Sequence, residues 1–351
     1  MKCAIVADYY SPPWDEGFKI LTRNLVLYLE QKGDQVYILS TGKIDRRRFL
    51  PKFLTIIPMI RKLETVLAIN KIVRQEGIDI IFEFTSARPF FAVRPFFWSK
   101  LLGVPYYIYI TSVTTRHRFY SLLANQERIF VGGDYLKKYF PRAHVLYPFV
   151  DLDALSVNGV ASQNGRHPKT ILFLGAFQKE RGLHHLLDAI AELKKELDFR
   201  LLIAWNGRGE LKEEFHTQIK ARGIEEITML KGSVDISELY NAADIVVIPR
   251  ILHPKLETKM FFPLRMIEAM YFSKPMVVSD IYDWASVVDG CGVAVKQGSV
   301  EELSRGMLKL LRDEEFYKTC VQNCCTKLTK FLPEKNLNRI YDTVHELDIK
   351  S

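Results

Sequence analysis

Phe262 to Asp280 (FPLRMIEAMYFSKPMVVSD) places residues suited to anion chemistry within one helical turn of each other. Proline fits the first turn of a helix, where an N–H would have no partner in any case, so Pro263 predicts a helix start with Leu264 and Arg265 inside it. The unpaired N–H groups of those two residues then face outward from the positive end of the helix dipole, the place where a phosphate is held. Glu268 follows about one turn later, where a carboxylate in reach of a bound nucleotide suits the two hydroxyls of its ribose. Lys274-Pro275 ends the helix, and Met276 to Ser279 (MVVS) reads as a buried parallel strand.

The segment resembles the donor-binding signature of the retaining nucleotide-sugar glycosyltransferases of family 4, which have the GT-B fold. In that signature Pro-Leu-basic-x-x-Glu-Ala-Met, a Lys-Pro loop and a Val-rich strand follow one another. Four other stretches resemble the same family in the same order: Met1–Pro13 (MKCAIVADYYSPP), Phe173–Ile190 (FLGAFQKERGLHHLLDAI), Leu201–Phe215 (LLIAWNGRGELKEEF) and Ile227–Arg250 (ITMLKGSVDISELYNAADIVVIPR). The resemblance implies transfer of a sugar, of hexosyl type and with retention, from a nucleotide-diphosphate donor, with no metal or other cofactor. Because a departing diphosphate gains negative charge, fixed cations are the effective catalysts. Arg181, where the family has Lys before Gly182, and Arg250 are the expected catalytic cations. The donor-binding residues implied are Glu268, Pro263, Leu264, Arg265, Gly175, Gly17 for close approach of the phosphates, and Gly207 with Gly232-Ser233-Val234 near the nucleobase.

Two residues depart from the common pattern. Met260 stands where the family often has a first glutamate, and Ala176 where it usually has an arginine after the first glycine of the second domain. Thr111 or Ser112 falls near a usual histidine. A sub-group of the family lacks the first acid and keeps an arginine at the end of this strand, so Arg250 and Arg265 are expected to supply the missing positive charge. Two alternatives stay open: a non-catalytic GT-B-like protein that binds a nucleotide sugar or glycan, and a phosphorylase or epimerase on the same fold.

Positioning such residues requires alternating strands and helices, the signature of doubly wound α/β layers. Six strands are expected at Cys3–Ala7, Gln35–Leu39, Ile78–Phe82, Pro105–Ile110, Arg128–Val131 and His144–Tyr147. Six more follow at Thr170–Leu174, Arg200–Ala204, Ile227–Leu230, Ile245–Ile248, Met276–Ser279 and Gly292–Val295. At 351 residues the chain exceeds one core. The expected organisation is a Rossmann-like acceptor domain over 1–155, a Ser/Asn/Gly-rich linker over 156–168 and a Rossmann-like donor domain over 169–333. A helix over 334–351 then crosses back to the first domain. The two doubly wound parallel sheets are expected to face a central cleft.

Residues 1–155 carry 22 Lys/Arg against 14 Asp/Glu, whereas the remainder balances at 27 of each, so the whole excess of +8 is N-terminal. Lys43–Lys62 concentrates it, interleaving Arg46, Arg47, Arg48, Lys52, Arg61 and Lys62 with Phe53 and other apolar residues. Such a segment suits an anionic membrane surface, each basic residue contributing about 1 kcal/mol; the alternative is a surface loop packed on the first sheet. This segment is the reason to expect a lipid-linked or cell-envelope glycan as acceptor. No basic recognition helix, zinc finger or RNP-like strand points to nucleic acid. Five cysteines without a C-x-x-C pair argue against a secreted disulfide framework and for a reducing cytosol. No signal peptide or membrane-spanning run is visible, so a cytoplasmic protein, peripheral on the inner face of the membrane, is expected.

Overall fold

The computed structural model describes residues 1–7, 17–40, 63–84, 94–111, 125–150, 168–175, 177–205, 213–232, 235–252 and 263–349. The described residues of Met1–Asp151 and Phe331–Ser351 gather in one compact unit, and those of Leu152–Leu256 and Pro263–Lys330 in another.

The first unit holds six parallel strands, β1 (Lys2–Ala7), β2 (Gln35–Ser40), β3 (Ile80–Phe84), β4 (Tyr106–Ile110), β5 (Ile129–Val131) and β6 (His144–Val145), in the order β2-β1-β3-β4-β5-β6. β3 and β4 are buried along their whole length, as strands covered by helices on both faces must be. Two of these strands differ from the sequence expectation by more than one residue at a limit. β3 begins two residues late, because the Ile78 N–H donates to the Val73 carbonyl and keeps Ile78 in the exit of the preceding helix. β6 is short, ending just before Leu146 and Tyr147, although the Leu146 N–H still donates to Val131. The helix Pro333–Val344 buries Leu337, Ile340 and Val344 in the same core as Ile5, Phe82 and Tyr107. Asp348 beyond it accepts hydrogen bonds from Tyr107 and Arg128.

The second unit repeats the plan with β7 (Lys169–Leu174), β8 (Phe199–Ala204), β9 (Thr228–Lys231), β10 (Ile245–Ile248), β11 (Met276–Ser279) and β12 (Gly292–Val295), ordered β12-β11-β10-β7-β8-β9 and all parallel. Its core joins Ile171 and Phe173 of β7 to Leu183, Leu186, Leu187 and Ile190 of the helix Leu183–Leu193. It also takes Leu303, Met307 and Leu310 from Val300–Arg312. That last helix starts on Ser299, whose side chain accepts from the Glu302 N–H, a Ser-x-x-Glu capping signal.

The strand order has a direct consequence. From β7 the chain winds outward through β8 and β9, then returns to β7's other side and winds outward again through β10, β11 and β12. β7 and β10 are hydrogen-bonded neighbours, with Ile171 opposite Ile245 and Leu172 opposite Val246. The connections that follow two such strands run to opposite sides of the pair, and open α/β sheets bind ligands at such a switch point.

Candidate functional site

The two loops at that switch point carry Arg181 and Arg250. After β7 the chain passes Gly175 and forms a short 3-10 turn, Lys179–Arg181, before the helix Leu183–Leu193. After β10 it passes Pro249 and Arg250. The backbone ties the two loops together. The Ile251 N–H donates to the Glu180 carbonyl at 3.0 Å, while the Leu252 N–H donates at 2.8 Å to the side chain of Gln297, which follows β12. Gly182 is the contact point, in the left-handed region at φ +72° with the Pro249 carbonyl oxygen 1.6 Å from where a Cβ would stand. Only glycine supplies this conformation and this approach together. A Cβ on Gly175 would lie 4.0 Å from the Arg181 side chain, which places that glycine against the same arginine.

The consequence is a pair of cations in close quarters. The Nε atoms of both Arg181 and Arg250 are shut off from solvent without a hydrogen-bond partner, and neither guanidinium has an acidic partner among the described residues. Burial pushes the Arg181 pKa down, and the nearby Arg265 charge adds to the effect. Burial together with repulsion from Arg181 brings Arg250 down to about 10, with Glu180 only partly offsetting this. Like charges in a half-buried site are costly unless something neutralises them.

Arg265 and Glu268 lie on the helix Leu264–Tyr271, with Pro263 at the N-cap position, one residue ahead of its expected place in the first turn. No side chain caps this helix start, nor that of Leu183–Leu193, so each presents N–H groups from the positive end of a dipole. Arg265 is not a spare cation. Its Nη1 donates to Glu268 Oε2 at 2.6 Å, and although burial opposes its charge, this carboxylate drives its pKa above the usual arginine range. Glu268 itself is only 6% exposed. It accepts a second hydrogen bond from Tyr240 at 2.8 Å, again on Oε2. Oε1 is left without a partner among the described residues.

The structure thus brings Gly175, Arg181, Arg250, Arg265 and Glu268 into one unit around one switch point, with Pro263 and Leu264 at the adjoining helix start. Gly17 opens the helix Gly17–Gln31 of the first unit. Gly207, Ser233, Val234, Ala176 and Met260 lie outside the described residues, as do Arg46, Arg47, Arg48, Lys52, Phe53, Arg61 and Lys62 of the basic apolar segment. Thr111 directly follows β4, its hydroxyl buried and without a hydrogen-bond partner among the described residues. Among the described residues no group of three or more His, Cys, Asp or Glu has the geometry for a metal ion, and no helix is long and apolar enough to cross a membrane. Sequence reasoning missed Tyr240 and the lacing of Glu180 to Ile251. The first is 28 residues from Glu268 in the chain, and the second depends on strand order, which local spacing does not encode.

The chain is similar to known glycosyltransferases in sequence and in fold. Residues 161–325 match the family model of glycosyl transferases group 1. The chain is 23% identical to an uncharacterised glycosyltransferase of Methanocaldococcus jannaschii, over 99% of both proteins. It is 25% identical, over 46% of its length and 44% of the relative's, to a Campylobacter jejuni alpha-1,4-N-acetyl-D-galactosaminyltransferase named for an undecaprenol diphosphate-linked GalNAc acceptor. The crystal structure of Anabaena HepE in complex with UDP superposes with a TM-score of 0.72 at 17% identity, covering 99% of this chain and 100% of that one. The fold they share is GT-B.

Proposed function

We propose that this chain, a glycosyltransferase of GT-B fold with a glycosyl transferases group 1 match over residues 161–325, moves a sugar from a nucleoside diphosphate donor to a glycan acceptor with retention. The observation that carries the reading is the unpaired Arg181–Arg250 couple between β7 and β10. A nucleoside diphosphate brings what that site lacks. Its phosphate oxygens neutralise the two guanidiniums and accept from the free N–H groups of the helix starts at Leu183 and Leu264. Its ribose offers hydroxyls to Glu268 Oε1. HepE was solved with UDP, which supports a nucleoside diphosphate as the shared part of the ligand.

In the proposed reaction the bond between the anomeric carbon and the diphosphate oxygen breaks with its electron pair on the oxygen. The acceptor hydroxyl bonds to that carbon on the face the diphosphate leaves, and its proton goes to the departing phosphate. Arg181 and Arg250 act by meeting charge that grows during bond breaking, and fixed cations need no reorganisation at that moment. The acceptor is proposed to be a lipid-linked or cell-envelope glycan, presented at an anionic membrane surface to the basic apolar segment Lys43–Lys62 of a cytoplasmic protein. The Campylobacter relative's lipid-linked acceptor supports that class.

The test is thermal denaturation of the purified protein with UDP, GDP, ADP and pyrophosphate. A ligand at 100 times its Kd stabilises by about 2.7 kcal/mol, so at least one nucleoside diphosphate should raise the Tm by several degrees, and by more than pyrophosphate does. No shift with any of them would remove the donor-site reading.

A further inference from the structure

We infer that Tyr240 is a positioning residue for donor binding, holding Glu268 so that a single carboxylate oxygen, Oε1, is offered to the nucleotide's ribose. The inference rests on the reading of Glu268 as the ribose acceptor and adds a residue that the reading does not contain. Tyr240 lies on the short helix Ile236–Ala242 leading into β10, and is fully buried. Its ring stacks face to face on Phe272, at 5.0 Å between centroids and 3° between planes, directly after the helix that carries Glu268. The ring therefore fixes the height of the phenol against that helix, and the hydroxyl has one proton to give. Two acceptors are near, Glu268 Oε2 at 2.8 Å and the Arg265 carbonyl at 3.4 Å, and the shorter contact takes the proton.

Arg265 Nη1 donates to the same oxygen. An oxygen that already accepts two donors has spent the lone pairs it directs in the carboxylate plane, so the carboxylate is held by one oxygen and open at the other. A carboxylate anchored only by Arg265, on a flexible side chain of the same helix, could rotate and present either oxygen. The tyrosine, on a different element, removes that freedom. Burial and the Glu268 charge push its pKa well above the ordinary tyrosine value, so the phenol remains a donor wherever the enzyme works. Tyr240 touches no part of the proposed ligand and acts only through Glu268.

That dependence gives the test. Kd values for the best-binding of UDP, GDP and ADP, and separately for pyrophosphate, are measured by calorimetry on wild type, Tyr240→Phe, Glu268→Gln and the double variant. Phenylalanine keeps the stack on Phe272 and removes only the hydroxyl; unchanged far-UV circular dichroism checks the fold. Tyr240→Phe should weaken the nucleoside diphosphate about tenfold, as the charge-assisted contact from Glu268 to the ribose loses its fixed geometry, and leave pyrophosphate unchanged. In the Glu268→Gln background the same change should cost nothing further. Additive losses, or equal weakening of pyrophosphate, would make Tyr240 a packing residue and overturn the inference while leaving the Glu268 reading intact. A nucleotide affinity unchanged by Glu268→Gln alone, or no nucleotide bound by wild type, would overturn both.

Discussion

At the scale of residues, the site is explained by what each charge has beside it. Arg265 has Glu268 in an ion pair, while neither Arg181 nor Arg250 forms an ion pair among the described residues, Glu180 only partly offsetting the repulsion on Arg250. Replacing either of the latter by Ala should therefore lower kcat by about 100- to 1,000-fold, the usual cost of losing one preorganised group that meets transition-state charge, with a smaller rise in donor KM. Steady-state kinetics would check this. Arg181→Lys should recover more activity than Arg250→Lys if Arg250 grips two oxygens at once, a geometry that an ammonium cannot copy. The depressed Arg250 pKa adds a pH dependence. In the free protein this group holds its proton below about 10 and loses it above, whereas a bound diphosphate favours the charged form. Its contribution to affinity is thus present at neutral pH and lost as pH rises through 10. Calorimetry at pH 8 and pH 10.5 should show a fall in wild type that Arg250→Ala does not share. The sequence singled out Arg181, Arg250 and Glu268 as candidates by their types and their places at helix starts and strand ends, and the structure places all three in the second unit. The pairing of Arg265 with Glu268 was open to inspection, three residues apart on one helix face, yet spacing alone does not say whether a ligand or a neighbour uses the charge.

At the scale of elements, what matters is that a 3-10 turn and a strand-end loop are held together by backbone. Gly182 makes that possible. Gly182→Ala would put a Cβ onto the Pro249 carbonyl in a left-handed conformation, so the turn must move away and take Arg181 from Arg250. The expected cost is about 2 kcal/mol or more in stability, measured by denaturant unfolding, with pyrophosphate affinity falling as well. An alanine variant that keeps both would mean that this contact does not set the arginine pair. The central strands were readable from runs of apolar residues, which is how parallel strands buried on two faces must look, whereas the edge strand β9 (TMLK) buries no residue fully. Their limits were less so. β3 begins two residues late because a helix-exit hydrogen bond from Ile78, invisible to hydrophobic pattern, competes for the first residues. The strand order and the resulting switch point between β7 and β10 lay beyond local pattern altogether, since they are set by which elements pack together over the whole unit.

At the scale of the whole molecule, each unit can be addressed separately. Ile340 on the helix Pro333–Val344 is buried in the core of the first unit, so Ile340→Ala should destabilise that unit by about 2–5 kcal/mol. Pyrophosphate affinity in the second unit should not change, as calorimetry on the folded variant would show. The charge excess of the first 155 residues supplies a separate expectation. If Lys43–Lys62 meets an anionic bilayer, replacing Arg46, Arg47 and Arg48 together by Ser should reduce sedimentation with phosphatidylglycerol vesicles and weaken its salt dependence. Equal sedimentation of the two proteins would return the segment to an ordinary surface loop. The central claim, that the unpaired arginines at the switch point drive departure of a diphosphate, is tested most directly by one assay. Purified wild type, Arg181→Ala and Arg250→Ala are incubated with UDP-, GDP- and ADP-sugars, and release of the nucleoside diphosphate is followed by chromatography. The account predicts release from at least one donor class by wild type and a loss of about 100-fold or more in each variant. Release at the wild-type rate from both variants would contradict it.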